Sequence, residues 1–471
     1  MGPSPPSAAG SAAQRARGGL LPTLLFLGVV STAVGSLGAP LLPTIVLVHR
    51  VSVVDSQWAL TVSLLVGAVV APTLGRLGDT RRRKGVILTA TAVVLIGCVL
   101  AALPLGFAGL LVGRALQGVA LALVPLAIAV AREALPAERR ASGIVVLGVT
   151  TAIGIGVGYP VAGLLVQYFG LAAAFWFGAA VSALALAAAA LFLPRSAGES
   201  AGWVDPAGAA LLAIAATGLL LVLAQGGEWG WGAARTLWAL GVSSAVLVAW
   251  VVWELRSRRP LVNVRLFRHR SVYAANISVA LICAGIYPLL SIVVRLVEAP
   301  QSTGYGIGAS PVLAGLMLVP FSLASFAASR TARPMIERSS AEHVVAASCL
   351  LLIAALGLYL VAIGSVALLA VVMALAGYGV GCVFAANPVQ IVGGVPAAET
   401  GSALSVYQVL RSIGLAAGSA LAGTALAGAV PDGSALPTIA GYRSAGVTGI
   451  VILCVALVAS VVLTRFRSRP A

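Results

Sequence analysis

Along the 471-residue chain, apolar runs of about 20 residues, the length that crosses a bilayer as a helix, are separated by short polar islands. A window of about 19 residues predicts fourteen spans. They fall near residues 20–46, 57–77, 85–105, 107–130, 142–166, 172–193, 206–225, 236–253, 272–297, 310–329, 343–363, 365–388, 402–427 and 446–464. The first run is too long for a signal-peptide core and has no obvious cleavage site, so it is expected to remain as a helix.

Composition turns this pattern into a fold class. Apolar residues make up 60% of the chain and charged residues 9%, with a mean hydropathy of +1.07, whereas soluble proteins carry about a quarter charged residues. That much apolar surface has to face lipid as well as a core, so an all-α polytopic membrane protein is expected. A net charge of +16 would suggest nucleic acid in a soluble chain, but here the cations occupy the islands. With the N-terminus inside, 23 of the 29 fall on one side. Four (Arg50, Arg235, Arg295, Arg443) fall on the other, and Arg114 and Arg411 lie within spans. By the positive-inside rule both termini are expected in the cytoplasm, in a multi-pass cell-membrane protein; the partner is then the lipid bilayer, not nucleic acid. Cys98, Cys283, Cys349, Cys382 and Cys454 lie in apolar runs without paired spacing, which speaks against a zinc site or disulfide frame. No metal and no cofactor are expected. The segment from Arg258 to Arg268 mixes apolar and basic residues and reads as an inner-interface stretch or a plain connector. Trp58, Trp203, Trp229, Trp231 and Trp253 stand near span ends, where indole anchors at the headgroups.

Three groups of residues carry mechanism. After the second span comes Gly75-Arg76-Leu77-Gly78-Asp79-Thr80-Arg81-Arg82-Arg83-Lys84, a tight glycine turn with one acid among five cations. The fourth span places Leu110, Arg114, Gln117 and Gly118 on one helical face. A membrane arginine costs at least about 2.5–3.5 kcal/mol, so it needs a partner or a function; Gln117 or backbone carbonyls could satisfy it. The fifth span carries a ridge of small residues, including Gly148, Gly154, Gly158 and Gly163, bent by Pro160.

These motifs resemble those of the major facilitator superfamily. The Asp79 loop is similar to its Gly-x-Leu-Ala-Asp-Arg-x-Gly-Arg-Lys signature, with Thr80 and Arg82 as departures, and Arg114-x-x-Gln117-Gly118 to its fourth-helix motif. Gly158-Tyr159-Pro160-Val161-Ala162-Gly163 resembles its antiporter motif. The spans near 206–225 and 236–253 look like the two extra helices of the fourteen-helix drug:proton antiporter branch. The resemblance implies a cytoplasmic tail (1–19), a six-helix bundle (20–193), two inserted helices with flanking loops (194–271), a second six-helix bundle (272–464) and a tail (465–471). It also implies a substrate site between the bundles, a conformational gate formed by Gly75, Gly78, Asp79, Arg83 and Lys84, and proton coupling near Arg114. Residues 330–338 stand where the second bundle would repeat the gate loop.

One departure bears on chemistry. That branch commonly carries an acid in its first helix, where alignment on Leu42-Pro43-Thr44-Ile45 leaves Val34, and none of the thirteen acids falls mid-span. Proton coupling would then fall to Asp55 or Asp79 at a helix end, to His49, or to another ion. Asp55 also reads as the N-cap of the second span. Arg411, with Gln408 one turn before it, is the second charge in the membrane. Together the two arginines point to neutral or anionic rather than strongly cationic substrates. The expected function is secondary transport by alternating access, driven by the proton gradient: efflux of small lipophilic compounds or drugs, or alternatively export or facilitated passage of an endogenous metabolite. One proton crossing about 100 mV supplies about 2.3 kcal/mol, against about 1.4 kcal/mol for a tenfold gradient, and no nucleotide-binding glycine loop is present. The scattered histidines and short loops do not fit an enzyme or a sensor.

Overall fold

The computed structural model describes residues 8–37, 41–51, 53–80, 82–194, 205–258, 260–309, 311–430 and 437–465. Among these the chain is helical and contains no strand. The helices are α1 (Ala8–Ser36), α2 (Leu42–His49), α3 (Val53–Gly78), α4 (Arg83–Ala102), α5 (Gly106–Gln117), α6 (Leu123–Ala134), α7 (Ala137–Phe169) and α8 (Leu171–Phe192). A hairpin of α9 (Pro206–Trp229) and α10 (Ala234–Arg256) follows. Then come α11 (Arg270–Glu298), α12 (Pro311–Leu316), α13 (Leu318–Arg338), α14 (Ala341–Ala362), α15 (Val366–Gly394), α16 (Thr400–Ala427) and α17 (Ile439–Arg465). Twelve stretches among the described residues are long and apolar enough to cross a membrane, and two shorter apolar stretches, Gly19–Gly35 in α1 and Pro160–Phe169 in α7, accompany them. The fourteen spans expected from hydropathy are thus met by twelve of full length. Trp203, Arg195 and the tail from residue 466 lie outside the described residues.

Three of the expected spans are broken. The first ends at Ser36 and the chain starts again as α2, with Pro43 in its first turn, where a missing N–H costs nothing. Leu42 to Ile45 therefore belong to a separate helix. The fourth tightens into a 3-10 segment at Gly118–Ala122, between α5 and α6. A Cβ on Gly118 would lie 2.3 Å from the Ser63 carbonyl of α3, so only glycine admits this approach. The tenth parts at Met317 into α12 and α13, because Pro320 has no N–H to offer the Leu316 carbonyl. Residues 330–338, expected as a loop, form the last turns of α13, with an exposed Arg333–Glu337 pair at 2.7 Å one turn apart.

Packing sorts the helices into two groups. In the first, α1 lies against α6, α7 and α8, and α4 against α5 and α8; in the second, α11 lies against α15, α16 and α17, and α13 and α14 against α15. Between the groups, α3 and α6 meet α16, and α7 meets α13 and α15. The hairpin joins neither interior: α9 packs on α3 and α16, while α10 turns Trp238 (73% exposed) and Val248 outward. With no aqueous core to bury, such apolar side chains face lipid.

Candidate functional site

The Asp79 loop closes the basic end of the molecule onto the second group of helices. Gly75 on α3 and Gly401 on α16 let two backbones touch: a Cβ on Gly75 would sit 2.7 Å from the Gly401 carbonyl, and one on Gly401 would sit 2.8 Å from that of Gly75. Asp79 then accepts the Gly401 N–H at 2.7 Å and the Ser402 N–H at 2.9 Å, the first free donors of α16. An anion at a helix N-terminus meets both the donors and the positive end of the helix dipole. Asp79 is 6% exposed. Burial lifts its carboxyl to about 6, and the two backbone N–H groups and Arg83 only partly oppose this.

Two of the loop's cations, Arg83 and Lys84, hold helix ends. Arg83 donates to the Gly78 carbonyl that ends α3, to Ala129 of α6 at 3.4 Å, and to the Glu133 carboxylate in an ion pair. Lys84 reaches the carbonyls of Ala190 and Leu193 at 2.8 and 2.7 Å, capping the C-terminus of α8. Gly78 packs under Leu126, where a Cβ would come within 2.0 Å. A second cross-group fastening was not foreseen from sequence: Arg132 donates to Val395 O (2.9 Å), Pro396 O (3.2 Å) and Thr400 Oγ1 (2.5 Å). Its charge had counted only toward topology.

Arg114 lies wholly inside the first group, 2% exposed. Its Nε donates to the Ala59 carbonyl at 2.8 Å; Nη1 donates to Gln117 Oε1 at 2.6 Å and to the Val34 carbonyl at 3.4 Å. Gln117 passes the chain on, donating to Gly97 O at 3.2 Å. Where the antiporter branch would carry an acid, this chain thus offers a peptide carbonyl to the guanidinium. Backbone satisfaction, one of the two readings open from sequence, describes the geometry.

Arg411 stands between the groups. With Tyr407 and Gln408 of α16 it lines a cavity of about 10 Å³, closed by Val124 and Ile128 of α6, Gly148 of α7 and Pro388 of α15, room for roughly one water. Its guanidinium lies 5.0 Å from the centre of the Phe384 ring, a cation–π contact. A Cβ on Gly148 would strike the Phe384 carbonyl at 2.0 Å, so glycine sets how closely α7 and α15 meet here.

The remaining candidates are dispersed. Gly154 is buried against Thr32 of α1, Gly158 is buried, Pro160 is half-buried, and Gly163 has open space where a Cβ would go. Asp55 is exposed within the first turn of α3, so it is not that helix's N-cap. His49 ends α2 with its ring 6.0 Å from that of Phe107, and burial holds it below the ordinary imidazole value. The structure brings together the Asp79 loop, Arg132 and α16 at one end, with Arg411 and Gln408 further along α16 beside Gly148 of α7, and keeps Arg114 and Gly154 within the first group.

The two helix groups thus meet along α3–α16 and α7–α15, with a polar clasp at one end and a charged cavity between them. The chain belongs to the Major Facilitator Superfamily, whose family model matches residues 24–306. It is 31% identical over 333 residues to the uncharacterized MFS-type transporter Rv1877 of Mycobacterium tuberculosis, an alignment covering 67% of this chain and 48% of that protein; it thus spans about half of that relative's length. It is 29% identical over 439 residues to the tetracenomycin C resistance and export protein of Streptomyces glaucescens, covering 91% of this chain and 80% of that one. Among solved structures it is similar to the human organic anion transporter MFSD10, with a TM-score of 0.67, 17% identity, and coverage of 94% of this chain and 99% of that one. That likeness speaks for the fold alone.

Proposed function

We propose that this protein is a proton-coupled exporter of small lipophilic compounds, neutral or anionic, of the fourteen-helix drug:proton antiporter branch. Its two six-helix bundles (20–193 and 272–464) would rock about a site between them, with the hairpin region (194–271) inserted and both termini in the cytoplasm of a cell-membrane protein. In this reading the shorter apolar stretches in α1 and α7 would be parts of the two crossings beyond the twelve of full length. No cofactor takes part; the proton gradient is the energy source. Similarity over most of the chain to an antibiotic resistance and export protein favours efflux. The observation that carries the substrate class is Arg411: the described charge lining the cavity between the groups is a guanidinium, framed by Tyr407, Gln408 and apolar side chains. Such a wall attracts anions and tolerates neutral apolar molecules, whereas it repels a quaternary ammonium.

In this reading the Asp79 clasp holds the cytoplasmic side closed, and breaking it opens the path inward. The test is transport by purified protein in proteoliposomes under an imposed pH gradient, with a panel of neutral, anionic and cationic lipophilic compounds. Gradient-driven movement of neutral and anionic members is expected. Movement of quaternary ammonium compounds alone would overturn the substrate class, and movement indifferent to the gradient would overturn proton coupling.

A further inference from the structure

At the basic end of the inserted hairpin, two carboxylates meet without a cation. Asp205 caps the start of α9 and Glu254 stands two residues before the end of α10; they are 6% and 1% exposed. Among the described residues neither has an ion-pair partner. Gly208 separates them: a Cβ there would lie 2.6 Å from Glu254 Oε1 and 3.0 Å from Asp205 Oδ2, so both oxygens border one small notch. Two carboxylates this close in a buried site do not both stay ionised.

The donors around each acid differ sharply. Asp205 Oδ1 accepts the N–H groups of Ala207 (3.0 Å) and Gly208 (3.1 Å), and Oδ2 accepts Trp253 Nε1 at 2.7 Å. Three donors at a helix N-terminus hold a negative charge well. Glu254 has weaker support: the Val262 N–H reaches Oε2 over a long 3.3 Å, the Leu261 N–H and the Trp250 indole N–H one turn back stand nearby, and no donor makes a well-formed bond to its buried Oε1. An oxygen in that position is costly as an anion and useful as an O–H donor. We propose that Glu254 is a proton-binding site: it holds one proton at neutral pH as a carboxylic acid, directed across the Gly208 notch toward the Asp205 carboxyl.

The site is tied to moving parts. Glu254 Oε2 fixes Val262, and Leu261 and Val262 pack with Leu212 of α9, Trp250 of α10 and Val406 of α16. The next residue, Asn263, donates to Glu399 at 3.2 Å, just before the α16 N-terminus that Asp79 clasps. Giving up the proton, to water at the basic face, would leave a second buried anion beside Asp205. That charge would push Glu254 out of the notch and free the 260–268 segment from α16. The charged groups facing the site are Asp205 from α9, Arg265 beyond it, donating to the Leu255 carbonyl at 2.9 Å, the exposed Arg256 and Arg258 at the end of α10, and Glu399 before α16. From α16 itself the packed residue is the apolar Val406. The assignment rests on this geometry and does not depend on the exporter reading.

The full-length protein, in lipid nanodiscs, would be studied by infrared difference spectroscopy and thermal unfolding from about pH 6 to about pH 9, a range well above the ordinary Glu value of about 4.3. Wild type is expected to show a buried carboxylic-acid C=O band at neutral pH that Glu254→Gln removes. Its Tm should fall as pH rises, because the proton is bound by the folded state and not the unfolded one, while Glu254→Gln, an isostere of the acid form, should lack that component. Asp205→Asn keeps the fold but removes the neighbouring charge, so the Glu254 band should disappear at a lower pH than in wild type. Gly208→Ala fills the notch and should weaken the band. A spectrum and a Tm profile that Glu254→Gln leaves unchanged in their pH dependence would show Glu254 already ionised and overturn the proposal.

Discussion

Arg114 and the Asp79 clasp are both buried charges held by backbone groups, yet they differ in where those groups lie. Arg114 finds its partners in α1, α3 and α5, all in one helix group. Asp79 and Arg132 find theirs at the start of α16 and the end of α15, across the boundary between groups. A transporter that rocks one group on the other leaves the first kind of contact intact and must break the second in every cycle. Whether a buried charge serves stability or switching is therefore decided by which helix bodies its partners ride on. Arg411 faces that boundary too, at the cavity.

The largest test of this contrast is Arg114→Lys. An ammonium cannot reproduce the fork that meets Ala59, Val34 and Gln117 together. Losing two or more bonds to a charged group, at about 1.5–3 kcal/mol each, should cost the protein at least about 3 kcal/mol. The expected readout is a lowered Tm and a lower yield of folded protein, and a stable but inactive variant would move Arg114 from the stability class to the mechanism. Asp79→Asn should do the reverse, leaving Tm near wild type and cutting transport by about ten- to a hundredfold, as expected for about 1.5–3 kcal/mol taken from the closed state. The amide turns its NH₂ toward one of the two N–H donors it should accept from. A third test, Arg411→Gln, should raise the KM for anionic compounds about tenfold, as for the loss of one charge contact of about 1.4 kcal/mol. It should change little for neutral compounds and leave stability unaffected.

The smallest expected effect is that of pH on the clasp. The buried Asp79 binds its proton more tightly, at about 6, than the ordinary carboxyl at 3.8. The closed gate therefore takes up a proton that the open gate does not. Closure should become more favourable as pH falls from about 7 to about 5, by just under about tenfold, and level off only below about 3, well under the ordinary carboxyl value. A protonated carboxyl can swing its O–H away and still accept both N–H groups, which the amide of Asp79→Asn cannot. Distance measurements between probes on α3 and α16 over that range would read it; opening on acidification would contradict the sign.

Hydropathy located the helices because the membrane demands a long apolar run for each crossing, and charge counting marked the basic face. What it could not see were breaks made by the backbone inside apolar sequence. The tightening at Gly118 and the parting at Met317 arise from close helix contact and a missing proline N–H, neither of which changes the average apolarity. The Asp79 loop was legible as a motif, and so was its importance. Its partners, two N–H groups more than 300 positions away along the chain, belong to no side chain and leave no trace in composition. Arg132 and Glu254 were passed over for a related reason: at the end of a span a charge looks like topology, and only packing shows whether it is solvated or shut in.

The chain has 28 arginines and one lysine, Lys84, and that lysine caps α8 beside the gate loop. Its amine is the lone side-chain target for amine-selective reagents. Apart from the α-amine of the chain, such a reagent would modify this one side chain, slowly while both carbonyl bonds are made and faster when the loop lifts. A single chemical label, without engineered cysteines, would then report the position of the Asp79 loop during transport.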